Sequence, residues 1–357
     1  MGRYYRAKIT KMKLLMITRR VDQDDGLAGF TYNWIKKIAA NLDKLYVICL
    51  EKGNDSGLPD NIRVYSLGKE KGKNRWQEFW QFQRLAVRLL PKVDGVFAHQ
   101  NPEYGILIAP WAKIFRKKLI AWYTHKGVNW KLRLLNMLSD VMVTASKESF
   151  RLPSKKLIVM HHGIDSDIFY FKETINKEKL ILLSVSRISP TKNIQLMIDL
   201  VRELRQKLSK PVLLKIVGAP SLAGDKIYLE ELKKNVKSFN LEDSVEFVGS
   251  VSNVNTPKFY QEADIFLNFS KTGSLDKNVL EAMSCGTLVI SSNVAFEDIL
   301  NSLHPSLYIY DHKDMADKVI KAINESSGGL LLSLSQYIQH HQNLEVLSKE
   351  IVDLYKK

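Results

Sequence analysis

Strand-like and helix-like segments alternate along this chain, and the alternation runs twice. Short apolar stretches stand at residues 13–18, 45–50, 62–67, 95–99, 119–124, 141–145 and 157–160, with amphipathic segments between most of them. Apolar residues at helical spacing predict helices near 27–42 and over 76–90, the second stopping at Pro91. A polar stretch at 165–179 reads as a linker. The pattern then restarts, with strands expected at 180–186, 212–218, 245–248, 265–269, 288–291 and 307–310. Repeated alternation of this kind builds parallel sheets covered by helices. The expected fold class is therefore α/β, with two Rossmann-like domains facing each other. The expected boundaries are 1–168 and 169–335, with a C-terminal helix at 336–357 packing back on the first domain. Ligands of such folds bind at the carboxyl ends of the strands, here expected in the cleft between the domains.

A chain of 357 residues is long enough for two ordinary cores. No apolar run reaches the roughly 18 residues of a membrane span. No signal peptide is expected, because the basic start has no apolar core. The two cysteines, Cys49 and Cys285, lie in or beside apolar segments and are expected as buried thiols, which points to the cytoplasm.

Charge divides the chain. Residues 1–170 hold 30 Lys+Arg against 15 Asp+Glu, and the remainder holds 23 of each, so the whole net charge of +15 sits in the first half. Such asymmetry points to a surface that meets an anion, whether nucleic acid, anionic lipid headgroups or a phosphorylated acceptor, or else to a solubility surface. Residues 106–116 mix apolar with basic side chains. Lys117, Lys118, Trp130, Lys131 and Arg133 follow. Basic and aromatic residues interleaved in this way suit a membrane surface or a lipid pyrophosphate.

The stretch 264–290 carries the densest chemical signal. It reads as a buried strand, a small-residue loop, a helix, a glycine turn and a second buried strand. The first turn of a helix after a parallel strand offers unpaired N–H groups and a favourable dipole to phosphate. Glu281 falls one turn into that helix, where a carboxylate can accept hydrogen bonds from a ribose diol. Arg187 and Lys192 stand in the turn after the second domain's first strand. Two cations there can neutralise a diphosphate and the charge that develops as it leaves. Alternatively the turn is simply solvated.

Arg187 and Lys192, with Gly163, Ala263, Asp264 and the run from Leu280 through Glu281 to Gly286, resemble the retaining glycosyltransferases of family 4. The resemblance covers nearly the whole chain and is strongest over 157–291. It implies the two-domain GT-B fold and a transfer of a hexosyl unit from a UDP- or GDP-linked sugar to a hydroxyl acceptor, such as a glycolipid or a growing surface polysaccharide. Arg187 and Lys192 match the family's diphosphate-holding pair, and Glu281 matches its ribose-binding glutamate. The turn from His162 to Asp165 matches the end of the family's first domain. Gly249 and Val251, with 259–264, match the segment that lines the nucleobase.

In the first domain the resemblance implies that Gly26 and Gly29 let backbone approach the donor, and that His125 reaches the donor sugar. His99, Gln100 and Asn101 close another strand and are candidates for the acceptor side. One departure stands out. The family's sugar-contacting glutamate is replaced by Gly273, within a polar loop of Thr272, Gly273, Ser274, Leu275 and Asp276. Either loop amides and Asp276 take over the contact, or donor choice differs, or activity is lost. Asp276 can equally be a helix cap.

No metal site and no cofactor is expected, the cation pair standing in for a metal. The expected partners are the nucleotide sugar, a lipid-linked or polysaccharide acceptor and an anionic membrane surface. That would place a cytoplasmic protein peripherally on the inner face of the plasma membrane. Competing readings are a GT-B nucleotide-sugar epimerase, a non-catalytic nucleotide-sugar-binding protein and, ranked last for want of any motif, a nucleic-acid binder.

Overall fold

The computed structural model describes residues 10–26, 29–172 and 178–356. The chain divides into two compact units, Met1–Gly163 with Leu344–Lys357, and Ile164–Asn343. The first unit holds seven parallel strands: β1 (Thr10–Val21), β2 (Leu42–Lys52), β3 (Ile62–Ser66), β4 (Gly95–His99), β5 (Lys118–Trp122), β6 (Val141–Thr144) and β7 (Leu157–Val159). Their order is β3-β2-β1-β4-β5-β6-β7. Its first four helices are α1 (Gly29–Ala39), α2 (Arg75–Leu89), α3 (Pro102–Ile114) and α4 (Trp130–Leu138). Leu14, Leu15, Met16 and Ile17 of β1 are all fully buried. A strand covered on both faces has to read as an unbroken apolar run, and this one does.

One face of the sheet packs under α2, α3 and α4 through Phe82, Leu85, Ile108 and Leu132. The start of α2 is fixed by a capping box, in which Asn74 accepts from the backbone of Gln77 and Gln77 reaches back to Asn74 N. Lys156 ends α4 by donating to the carbonyls of Asn136, Met137 and Ser139 at 2.7–3.1 Å, a favourable place for a cation at the negative end of a helix.

The second unit holds β8 (Leu180–Val185), β9 (Val212–Val217), β10 (Val245–Gly249), β11 (Ile265–Asn268) and β12 (Leu288–Ser291), all parallel, in the order β10-β9-β8-β11-β12. Helices α5 (Ile194–Lys207), α6 (Ala223–Ser238), α7 (Pro257–Glu262), α8 (Lys277–Ser284), α9 (Glu297–Leu303), α10 (Met315–Glu325) and α11 (Gly328–His341) surround it. The last helix, α12 (Leu344–Asp353), belongs to the first unit. There it packs with α1 over the other sheet face, through Leu347, Ile351, Trp34 and Ile38.

The chain passes from one unit to the other at 163/164 and 343/344 rather than at the expected 168/169 and 335/336, and two expected elements also differ. Residues 307–310 are not a strand: Pro305–Leu307 forms a 3₁₀ turn, and only Tyr308 bridges to Ser291. A short apolar run does not by itself distinguish a strand from a buried turn. The expected linker at 165–179 is not solvated at its start, since Phe169 is buried in the second core and Ser284 Oγ donates to its carbonyl. Residues 173–177 lie outside the described set. Cys49 and Cys285 are both free and buried. Burial pushes the Cys49 thiol up to about 12 and raises Cys285 further. Among the described residues no helix is long and apolar enough to cross a membrane.

Gly218 shapes the turn that carries Arg187. It follows β9 with φ +142°, and a Cβ there would lie 1.8 Å from the carbonyl oxygen of Ser186. Its N–H donates to Gly249 O at 2.8 Å, tying the ends of β9 and β10 together. Gly218→Ala should therefore cost about 3 kcal/mol or more, because the obstacle is backbone rather than a side chain that can rotate away. Chemical denaturation with an unchanged midpoint would contradict this.

Candidate functional site

Two polar clusters lie at the carboxyl edge of the second sheet. The first gathers on the loop after β11. Asn268, the last residue of that strand, is 3% exposed and donates through Nδ2 to Asp276 Oδ2 at 3.0 Å. Lys192 closes the 3₁₀ turn Pro190–Lys192 after β8, and its ammonium lies 2.9 Å from the same carboxylate oxygen. It also donates to Ser270 Oγ at 3.5 Å. The two loops are joined by backbone, Lys271 N donating to Thr191 O at 3.0 Å. Ser270 and Thr272 exchange a hydroxyl bond at 2.9 Å, and Asn293 Nδ2 holds the carbonyl of Ser274 at 2.9 Å.

Asp276 occupies the N-cap position of α8, but its side chain makes no capping bond. The carboxylate is turned to Lys192 and Asn268 instead. Gly273 is buried at φ +55°, a backbone conformation that a glutamate would adopt only with strain. The loop is thus built for glycine at the place of the family's first carboxylate. Asp276, three residues on, is the acid that the loop provides. Leu275, between them, is buried in the core.

The second cluster centres on Glu281, which α8 presents one turn after Lys277. Its residue exposure is 5%. Tyr260 of α7, fully buried, donates its hydroxyl to Glu281 Oε2 at 2.9 Å. Asn253 Nδ2 donates to Oε1 at 3.4 Å, and Lys277 Nζ stands 4.0 Å from that oxygen. Burial pushes the Glu281 carboxyl above the usual carboxylate range, against the opposing pull of Lys277, Tyr260 and Asn253. Burial also lowers the Lys277 ammonium, opposed by Glu281 and Asp165. The Tyr260 hydroxyl stays protonated, driven far up by burial and then by Glu281. A carboxylate with one oxygen fixed by a buried phenol is an oriented acceptor, suited to a pair of vicinal hydroxyls.

Other candidates stand nearby or apart. Gly249 ends β10 at φ +86°, with Val251 half-buried just beyond. Arg187 follows β8, exposed and without an ion pair among the described residues. The structure does not join it to Lys192. In the first unit, Gly26 lies in an exposed turn and Gly29 opens α1, its N–H donating to Asp25 O at 3.0 Å. His125 is exposed after β5, with its ring edge-on to Tyr123 at 5.5 Å. His99 is fully buried. Its Nδ1 lies 3.2 Å from Thr18 Oγ1, and its ring packs against Trp34 at 5.0 Å. This is a core histidine among aromatic rings rather than a surface group. Gln100 adopts φ +72°, and Asn101 stands at the N-cap of α3 without a side-chain capping bond.

The sequence assigns no role to Asn253 or Asn268, and it places Tyr260 only within the 259–264 segment, not beside Glu281. Asn268 carries a readable signal, a polar residue ending an apolar strand directly before the loop. Tyr260 carries none, because an apolar stripe on a helix does not reveal which phenol reaches an acid.

Residues 165–341 match the family described as glycosyl transferases group 1. The chain is 31% identical over 144 residues to an alpha-monoglucosyldiacylglycerol synthase of Streptococcus pneumoniae, covering 40% of this chain and 31% of that one. It is 27% identical over 158 residues to a mannosylfructose-phosphate synthase of Agrobacterium fabrum, covering 42% and 34%. These matches span about a third of each relative's length. Among solved structures, Anabaena Alr3699/HepE in complex with UDP and glucose superposes with a TM-score of 0.73, at 16% identity, over 97% of this chain and 100% of that one. That likeness extends over both units and shows a shared fold, the GT-B architecture of two parallel-sheet units.

Proposed function

The chain belongs, through residues 165–341, to the group 1 glycosyltransferases, and from that premise we propose that it transfers a hexosyl unit from a UDP- or GDP-linked sugar to a hydroxyl acceptor with retention of configuration. The observation that carries this is the pair of clusters at one sheet edge, an oriented acid at Glu281 and a half-buried cation at Lys192, both within the matched domain. Glu281 would accept from the ribose diol. Lys192 and Arg187, with the first amides of α8, would hold the diphosphate. Thr272, Ser274 and the amide of Gly273 would face the sugar, with Asp276 as the nearest carboxylate. Gly249 and Val251 would line the base.

In the transfer the bond from the anomeric carbon to the phosphate oxygen breaks and the bond to the acceptor oxygen forms. The acceptor proton passes to the departing phosphate on the same face. No protein base is required, and the cations rather than a metal stabilise the leaving diphosphate. A lipid-linked or polysaccharide acceptor, met at an anionic membrane surface by the basic first unit, fits the charge of residues 1–170.

The test is incubation with UDP- and GDP-hexoses and a lipid extract. The expected result is acceptor-dependent release of nucleoside diphosphate with one glycosylated product per release. An isomerised nucleotide sugar without product would replace transferase by epimerase. Gly273 favours one further alternative, a protein that binds the nucleotide sugar without turning it over. Binding without release in the presence of any acceptor would establish that.

A further inference from the structure

The first unit carries a groove of about 1260 Å³ beneath the loop before α2, between α2, the start of α3 and the start of α4. Its inner wall is apolar: Leu50, Leu67, Phe79, Phe82, Ile106 and Leu107. Phe82 is fully buried, whereas Phe79, Ile106 and Leu107 are half-buried, so the wall continues the core outward to solvent. At the mouth stand Trp76, 74% exposed, and Trp130, 67% exposed. Trp80, one turn beyond Trp76, is 66% exposed. All three of the strongly exposed tryptophans among the described residues are on α2 and α4. Large apolar side chains gathered at one opening mark a surface that is covered in use.

The rim carries an excess of positive charge. Lys69, Lys73, Arg75 and Lys131 line it, against Glu78 and Glu103. Glu103 is already paired with Lys131 at 2.6 Å. Lys69 and Arg75 make no ion pair among the described residues. A ligand that fills this groove therefore needs a long apolar part and an anionic head. Asn101, Glu103 and Tyr104 reach the groove directly after β4. One end thus opens at the carboxyl edge of the first sheet, where ligands of such folds are held.

We propose that this groove binds a long-chain lipid phosphate, its chain laid along Phe79, Ile106 and Leu107 and its phosphate held by Lys69, Lys73 and Arg75. Only the naming of that lipid as the acceptor rests on the transferase function above; the groove and its ligand class stand on the first unit alone.

The full chain is titrated with decyl phosphate below its micelle concentration, following tryptophan fluorescence. Decyl maltoside and inorganic phosphate are run beside it at equal ionic strength. Saturable binding of decyl phosphate is expected, with decyl maltoside at least about 10-fold weaker and no response to inorganic phosphate. The double substitution Lys73→Glu with Arg75→Glu should weaken decyl phosphate binding about 10-fold or more, and so should Phe79→Asp. Unfolding temperatures and nucleoside diphosphate binding are measured on the same samples, and neither should move in the surface charge variants. If Phe79→Asp unfolds the protein, the charge-reversal pair alone carries the test. Equal binding of decyl phosphate and decyl maltoside overturns the proposal, as does full competition by inorganic phosphate. So does response only to phosphatidylglycerol vesicles and never to the monomer, which would make this face a bilayer contact without a chain site. Decyl phosphate binding in a protein that binds no nucleoside diphosphate would leave the groove standing and remove the donor function instead.

Discussion

Lys192→Ala should lower kcat/KM for sugar transfer by about 10²–10³, the loss usual for a main donor to a developing anion. The expectation follows from the position of the ammonium. Its side chain is 11% exposed and lies 2.9 Å from Asp276, in a loop pair tied by backbone bonds. A cation held in a partly dry site acts more strongly on a leaving diphosphate than one in water, and it needs no reorganisation when charge develops. Arg187 is exposed and makes no ion pair among the described residues, so Arg187→Ala should cost less than Lys192→Ala. The two rates are compared under kcat/KM conditions with one donor. Equal losses would mean that exposure misranks the pair, and unchanged turnover in Lys192→Ala would remove the role.

Glu281→Gln should weaken nucleoside diphosphate binding by about 10–100-fold, the value of a hydrogen bond or two to a charged acceptor. At neutral pH it should not destabilise the fold, because burial already holds the Glu281 carboxyl above its ordinary pKa with Lys277 in place. The pH dependence separates binding from stability. The Glu281 carboxyl titrates above its unfolded value. Its contribution to stability is thus fully present below the ordinary glutamate pKa and declines as pH rises through the raised folded value. Nucleoside binding needs the carboxylate and should strengthen through that same window. Lys277 is lowered, so its contribution is present above the ordinary lysine pKa and is lost as pH falls through the lowered one. In Glu281→Gln the rise of binding across the carboxylate window should disappear. Calorimetric titrations of the nucleoside diphosphate at several pH values check this, and a rise preserved in the variant would assign the titration to another group.

Much of this architecture was legible in the sequence because it rests on local pattern. The bounds expected for 95–99 and 288–291 coincide with β4 and β12, since short buried strands bounded by turn residues announce both ends. The loop between β11 and α8 was legible as a polar turn entering a helix. What the pattern did not contain is which side chains meet. Asp276 is equally a cap or a partner by local rules, and only the packing of the β8 turn against the β11 loop gives it Lys192. His99 ends a strand like a ligand-facing residue, yet Trp34 on α1 encloses it. Tyr260 and Glu281, 21 residues apart, are joined through the tertiary fold alone.

The central claim is that the second unit binds a nucleoside diphosphate through Lys192 and Glu281. Its most direct test is the unfolding temperature of the full chain titrated with UDP, GDP and their hexose conjugates. A ligand at a hundred times its Kd that binds only the folded state adds about 2.7 kcal/mol. The account predicts a concentration-dependent rise with one of the two bases, lost in the Lys192→Ala, Glu281→Gln double variant. No rise with any nucleoside diphosphate or nucleotide sugar, or an equal rise in the double variant, would contradict it.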